Sequence, residues 1–176
     1  MSRLLIQASN PLCQLQDAGR FGVRHLGVTQ GGAADWLSMA RANGLLGNTP
    51  GAAVIEITLG GLTVVAQDDC TLALAGADLA AAIDGQPLKP WRSFSMSKGQ
   101  TLTFTQPAPA GFAAPQVLGS CATVVREQLG GPDGLGRALL AGDELSYNGV
   151  AAPLRELEVP MQPVFSANPR LDLVMG

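Results

Sequence analysis

The chain has 176 residues, 47% of them hydrophobic and 14% charged, with eleven basic residues against fourteen acidic ones and a net charge of −3. That length fills one ordinary domain with its own core, and so apolar a composition excludes a disordered chain. The acidic balance argues against nucleic acid as a partner, because phosphate-backbone binders draw their affinity from clustered Lys and Arg.

Twenty-two Gly and twelve Pro beside 5% aromatic residues describe many short segments joined by turns, which favours β architecture over a helical bundle. Cys13, Cys70 and Cys121 are odd in number and far apart, so they read neither as a disulfide framework nor as a CxxC metal or redox site. A reducing cytosol is the expected compartment. The apolar patch Leu4–Ile6 is too short for a signal-peptide core, and no 18-residue apolar run occurs, so neither secretion nor membrane spanning is expected.

Leu4 to Ile6 reads as a first short strand, ended by the turn Ser9-Asn10-Pro11. From Gln14 to Gly32 the chain is polar and punctuated by glycine: Gln16, Asp17, Arg20, Arg24 and His25 lie among Gly19, Gly22, Gly27, Gly31 and Gly32. So little periodic apolar content predicts a loop, and loops on a rigid scaffold are where binding chemistry concentrates. A helix follows, with Asp35 placed to cap its first turn and Gly47 to end it in a left-handed conformation. Trp36, Met39, Ala40, Asn43, Leu46 and Gly47 share its predicted core face, on which Asn43 needs a hydrogen-bond partner.

After Asn48-Thr49-Pro50-Gly51 come strand-like runs at Val54–Leu59, Leu62–Ala66 and Thr71–Ala75, with Gly60-Gly61 reversing the chain between the first two. The segment from Asp78 to Gly85 is Ala-rich and ambiguous, but Asp84-Gly85 is a hairpin-type turn, and Gly99 precedes an alternating strand at Thr101–Thr105. Gln106–Gly111 breaks regular structure. A short helix is expected at Ala122–Leu129, a loop through Arg137 and Asp143, and one more strand at Leu171–Met175. At least five strands and one main helix result, with no internal repeat.

A single histidine and no CxxC exclude His-rich and common structural zinc sites. The absence of GxSxG, GxxxxGK[ST] and strand-linked GxGxxG patterns removes the usual support for serine hydrolase, P-loop and Rossmann readings. What remains is the glycine-rich loop, with Asp35, Asn43 and Asn48 beyond it. As an anion or carboxylate site, Arg20 or Arg24 would grip the ligand by a bidentate fork, and Asp17 or His25 would move a proton. As structure, an Asp17–Arg20 pair would brace the turn. Glu56 sits in an apolar run as either a buried acid or, the commoner arrangement for Glu, one of a solvent-facing pair with Thr58. Gly119-Ser120-Cys121 is read as a tight turn before a helix capped by Ser120, the alternative being a small-residue anion loop. Cys121 as a nucleophile would need a base such as His25; a free Cys is more often a small buried hydrophobe. Arg137 either recognises an anion or pairs with Asp143.

The runs QDAGRFGVRHLGVTQGGAADWLSMARANGLLGN, VIEITLGGLTV, LAGADLAAAIDG, QVLGSCAT and GRALLAGDEL, spread from about Leu4 to Asp143, resemble the KipA-like family. This family comprises the C subunits of 5-oxoprolinases, also called allophanate hydrolase subunit 2, and is similar to the A/B part of the urea carboxylase carboxyltransferase domain. The resemblance implies a mainly β, cyclophilin-like β-barrel with one main helix and a short second one. It implies a domain over residues 1–166, with 167–176 opening a second, truncated half. Around Pro109–Phe112 the chain leaves no room for a strand that the family carries there.

The implied activity is ATP-dependent opening of 5-oxoproline to glutamate together with two partner subunits, one KipI-like and one LamB/YcsF-like, the chain being inactive alone. ATP then acts at the level of the complex, and the substrate is a small amide or lactam. Two other functions follow from the same resemblance: a biotin-dependent carboxyltransferase of the urea or allophanate type, and a non-enzymatic antagonist of a KipI-like kinase inhibitor. The expected catalytic residues are Asp17, Arg20 and His25; the expected substrate-binding residues are Arg24, Asn43, Asn48, Ser120 and Arg137; no metal is expected.

Overall fold

The computed structural model describes residues 2–105, 137–147 and 152–157, together with the backbone of 116–120. Eleven strands appear in chain order: β1 (Ser2–Ala8), β2 (Gln14–Gln16), β3 (Val54–Ile57), β4 (Thr63–Ala66), β5 (Cys70–Gly76), β6 (Ala81–Ile83), β7 (Gln86–Pro87), β8 (Arg92–Met96), β9 (Thr101–Phe104), β10 (Gln116–Ser120) and β11 (Glu144–Tyr147). One α-helix, α1 (Trp36–Leu46), and a single 3-10 turn at Arg24–Leu26 complete the described elements. No helix among the described residues is long and apolar enough to cross a membrane.

The strands form two sheets, both antiparallel throughout. The first runs β11-β1-β4-β9-β6-β7 and the second β2-β3-β10-β5-β8. The mainly β architecture with one main helix is as expected. Among the described residues, however, no ladder joins the sheets into a closed barrel; they stack instead. The cause is visible in β5, where large and small side chains alternate. Leu72 and Leu74 join Ile6, Ile57, Val64, Leu102 and Phe104 in the core between the sheets, while Ala73 and Ala75 point to the opposite face. On that face the small alanines make room for α1, which buries Met39, Ala42, Leu45 and Leu46 against them together with Val54 and Trp91. The second sheet is therefore buried on both sides at its centre, where every residue of β5 is buried.

The helix begins and ends where its sequence predicts. Asp35 accepts a hydrogen bond from the Ser38 N–H at 3.0 Å, and Gly47 stops the helix at φ 78°. The buried stripe is rotated from the expected one. Ser38, Met39, Ala42, Asn43, Leu45 and Leu46 face inward, and Trp36 is exposed. Two polar residues in the true stripe and two large apolar ones, Trp36 and Leu37, outside it explain the difference.

Asp84-Gly85 makes the expected hairpin between β6 and β7, with both residues at positive φ as a type I′ turn requires. Gly60-Gly61 does not make a hairpin: β3 and β4 lie in different sheets, so this turn carries the chain from one layer to the other. Trp91 takes a left-handed φ of 67°, a costly conformation for a bulky residue. It is held by hydrogen bonds to the Leu74 carbonyl and from the Leu157 N–H, with its ring buried under the Arg41 guanidinium.

The expected helix at Ala122–Leu129, the strand at Leu171–Met175, the break at Gln106–Gly111 and residue Cys121 lie outside the described residues.

Candidate functional site

The long connection between β2 and α1 is pinned at a narrow neck. The Arg20 N–H donates to the Gln30 carbonyl at 2.7 Å, and the Ala33 N–H donates to the Asp17 carbonyl at 2.9 Å. Gly19 and Gly32 face each other at positive φ, so close that a Cβ on Gly19 would come within 2.7 Å of two carbonyl oxygens and one on Gly32 within 2.8 Å of the Gly19 nitrogen. Only glycine allows that approach. Beyond the neck, residues 20–30 project outward, with Phe21, Arg24, His25 and Leu26 all exposed.

Asp17 and Arg20 sit at the neck itself. Asp17 Oδ1 accepts the Gly19 N–H at 2.7 Å and lies 3.5 Å from Arg20 Nη1; the two side chains are only 13% and 15% exposed. In so sheltered a place the attraction within the pair is screened little. The structure thus brings Asp17 and Arg20 together, while Arg24 and His25 ride on the exposed 3-10 turn away from the neck.

Beneath the loop, Gln14, Gln16 and Glu56 form a buried polar patch on the helix-facing side of the second sheet. Gln14 is the cross-strand partner of Glu56, and Gln16 Nε2 donates to Gln14 Oε1 at 2.8 Å. Gln16 Oε1 is buried with no hydrogen-bond partner among the described residues. Glu56 is 7% exposed, which corrects the expectation of a solvent-facing residue. The reason is that α1 and the returning loop cover the second face of β3, and the Glu56 carboxylate satisfies them: Oε2 accepts the Ala34 N–H at 3.2 Å and Oε1 the Asp35 N–H at 3.0 Å.

Asn43 and Asn48 meet at the far end of α1. Asn43 is wholly buried; its Nδ2 donates to the carbonyls of Ala52, at 2.9 Å, and Pro50, while its Oδ1 accepts from Asn48 Nδ2 at 3.1 Å. The turn so fixed presses on the loop, for a Cβ on Gly51 would lie 2.9 Å from that of Ala18, the neighbour of Asp17. Both asparagines therefore act here as supports behind the neck. Ser120 pairs with Leu72 inside β10, so Gly119-Ser120 is strand and not the expected turn. Arg137 resolves to the pairing alternative, with Nη1 and Nη2 at 2.6 and 2.7 Å from the two Asp143 oxygens. That guanidinium holds the Asp143 carboxyl below the usual carboxylate range.

Burial pushes the Cys13 and Cys70 thiols up, away from thiolate formation. No cluster of His, Cys, Asp and Glu suited to a metal occurs among the described residues.

Two stacked antiparallel sheets, one covering helix and a glycine-necked loop with a sheltered Asp17–Arg20 pair define a β-rich domain. The chain belongs to the carboxyltransferase domain family, subdomains A and B, whose pattern matches residues 26–176. The C subunit of 5-oxoprolinase from Haemophilus influenzae is 36% identical over 140 residues, covering 74% of this chain and 45% of that protein. Urea amidolyase of Saccharomyces cerevisiae is 29% identical over 136 residues, covering 72% of this chain and 7% of that protein. A crystal structure of TTHA0988 superposes with a TM-score of 0.81 at 32% identity, covering 93% of this chain and 34% of that one. The chain thus spans about half the length of the 5-oxoprolinase relatives that it matches.

Proposed function

We propose that this chain works as part of an ATP-dependent 5-oxoprolinase, opening 5-oxoproline to glutamate in the cytoplasm with KipI-like and LamB/YcsF-like partners. The observation that carries this reading is the sheltered Asp17–Arg20 pair in a chain more than a third identical to proteins named as the C subunit of 5-oxoprolinase. Opening the lactam adds water across its C–N bond: the carbonyl carbon gains an oxygen, and the ring nitrogen leaves with a proton. An amide carbonyl resists this until its oxygen is activated, and in the complex ATP supplies that activation.

This chain's share is to hold the substrate. Arg20 grips the 5-oxoproline carboxylate, and Asp17, through Oδ1, keeps the guanidinium aimed. Asp17 Oδ2 takes part in neither of those bonds and is the group placed to accept a proton. Arg24 and His25 lie farther out in the same loop, and Ser120 and Arg137 on other segments; this reading assigns them no part in the step and places no nucleotide phosphates on this chain. The test is Arg20→Ala in a complex that still assembles: KM for 5-oxoproline should rise at least about tenfold, and an unchanged KM contradicts the reading.

The likeness to urea amidolyase supports a second reading, transfer of a carboxyl group from carboxybiotin to an amide. In that case the same arginine would hold the carboxyl being moved, and turnover would require a separate biotinylated carrier.

A further inference from the structure

We infer that Glu56 is a positioning residue that sets the geometry of the Asp17–Arg20 pair. The large apolar side chains of the loop, Phe21 and Leu26, are exposed and belong to neither core cluster, so its position depends on what its two legs are tied to. The outgoing leg continues directly from β2. The return leg is tied to it at Ala33, whose N–H meets the Asp17 carbonyl, and by the contact of Gly32 with Gly19. The next two N–H groups along that leg, those of Ala34 and Asp35, both end on Glu56, one to each carboxylate oxygen.

Glu56 stands on β3, directly across from Gln14 of β2 in the second sheet. One buried carboxylate thus ties the return leg to the strand that neighbours the outgoing leg. It closes a circuit: β3 to β2, β2 to Asp17, Asp17 to Ala33, and Ala34 and Asp35 back to β3. The anion is well matched to this task, because a carboxylate offers acceptors on both oxygens and charge-assisted bonds to N–H groups are the stronger kind. It also faces the start of α1, where the helix dipole favours negative charge. A glutamine of the same size has only one oxygen and would turn an NH2 group toward one of the two N–H donors.

This inference rests on the proposed role of Asp17 and Arg20, and two readouts separate its failure from failure of that reading. The first is hydrogen exchange of the chain carrying Glu56→Gln. Amides of residues 17–35 should exchange about tenfold faster than in the unsubstituted chain, with β4 and β5 unchanged. The second is kinetics in the assembled complex, where KM for 5-oxoproline should rise about tenfold while kcat stays within about twofold.

Asn10→Ser serves as the comparison for general weakening. Asn10 accepts the Leu12 N–H and donates to the carbonyls of Thr58, the residue after β3, and Gly60, so it makes none of the bonds that tie the loop. Loop exchange equal to that of the unsubstituted chain would overturn the proposal. So would a KM increase of the same size in Asn10→Ser at matched loss of melting temperature, or a loosened loop with unchanged KM and kcat. If the unsubstituted complex does not turn over 5-oxoproline, the functional reading fails, and the exchange result alone decides whether Glu56 holds the loop.

Discussion

Asp143 is held at once by both nitrogens of the Arg137 fork and by the Leu140 N–H, and its depressed pKa makes that arrangement a pH-dependent source of stability. An acid whose folded pKa lies below its unfolded value, about 3.9, contributes stability that is fully present above that value. The contribution is lost as pH falls through the folded pKa. Asp143→Asn should therefore melt below the unsubstituted chain at pH 7, and the gap should close as the pH is lowered past about 4. Thermal melts followed by circular dichroism at several pH values test this; a gap that stays constant with pH would contradict it.

Single residues differ in how far the sequence announces their surroundings. Arg137 with Asp143 is legible as one of two alternatives, because a guanidinium and a carboxylate six positions apart across a turn can meet. Glu56 is not legible, for a physical reason: a glutamate between two isoleucines looks like one side of a half-exposed strand unless one knows that a helix covers that side. Asn43 stands out as a polar residue on a buried face that needs a partner, but the partners are carbonyls of the turn that follows the helix.

Among the elements, the loop neck is the most constrained, and Gly19 is its tightest point. Gly19→Ala carries two costs: a left-handed φ, about 1–2 kcal/mol, and a Cβ driven into the carbonyls of Gln30 and Gly31. Gly22→Ala carries only the first, since nothing lies within 4 Å of its Cβ at a similar φ. Trypsin acting at Arg20 and Arg24 should therefore cut Gly19→Ala several-fold faster than Gly22→Ala, and equal rates would show that the neck is not closed by this contact.

Elements with a strong local signal are legible in the sequence: α1 from its cap and its glycine stop, the β6–β7 hairpin from Asp84-Gly85, and the strands ending in Ala66, Gly76 and Phe104 to within a residue or two. Four others are not. β2 is hidden because its alternation is Gln-Leu-Gln, with the polar side buried. β8, β10 and β11 are hidden because each depends on a partner distant in sequence: β8 pairs with β5, β10 with β3 and β5, and β11 with β1. Local propensity cannot announce pairings of that kind.

In the molecule as a whole, three layers explain why the site is where it is. The outer sheet and the core between the sheets make the second sheet rigid; α1 lies on its far face over the small residues of β5; and the loop that enters α1 is held at the edge of that layer, where β2 ends the sheet. From sequence, the stacked arrangement is legible only as a mainly β fold. Which sheet each strand joins depends on long-range pairing, and the crossing at Gly60-Gly61 looks in sequence like an ordinary hairpin. This scaffold supplies one sheltered corner with a cation and an acid, the pair on which the proposed substrate-holding role rests.

The proposed holding of substrate within a 5-oxoprolinase is tested most directly by phosphate release from this chain assembled with KipI-like and LamB/YcsF-like proteins, measured with 5-oxoproline and, separately, with urea. ATP hydrolysis should depend on 5-oxoproline and should not be elicited by urea. Hydrolysis elicited by urea only in the presence of a biotinylated carrier, or none with either compound in a fully assembled complex, would contradict that role.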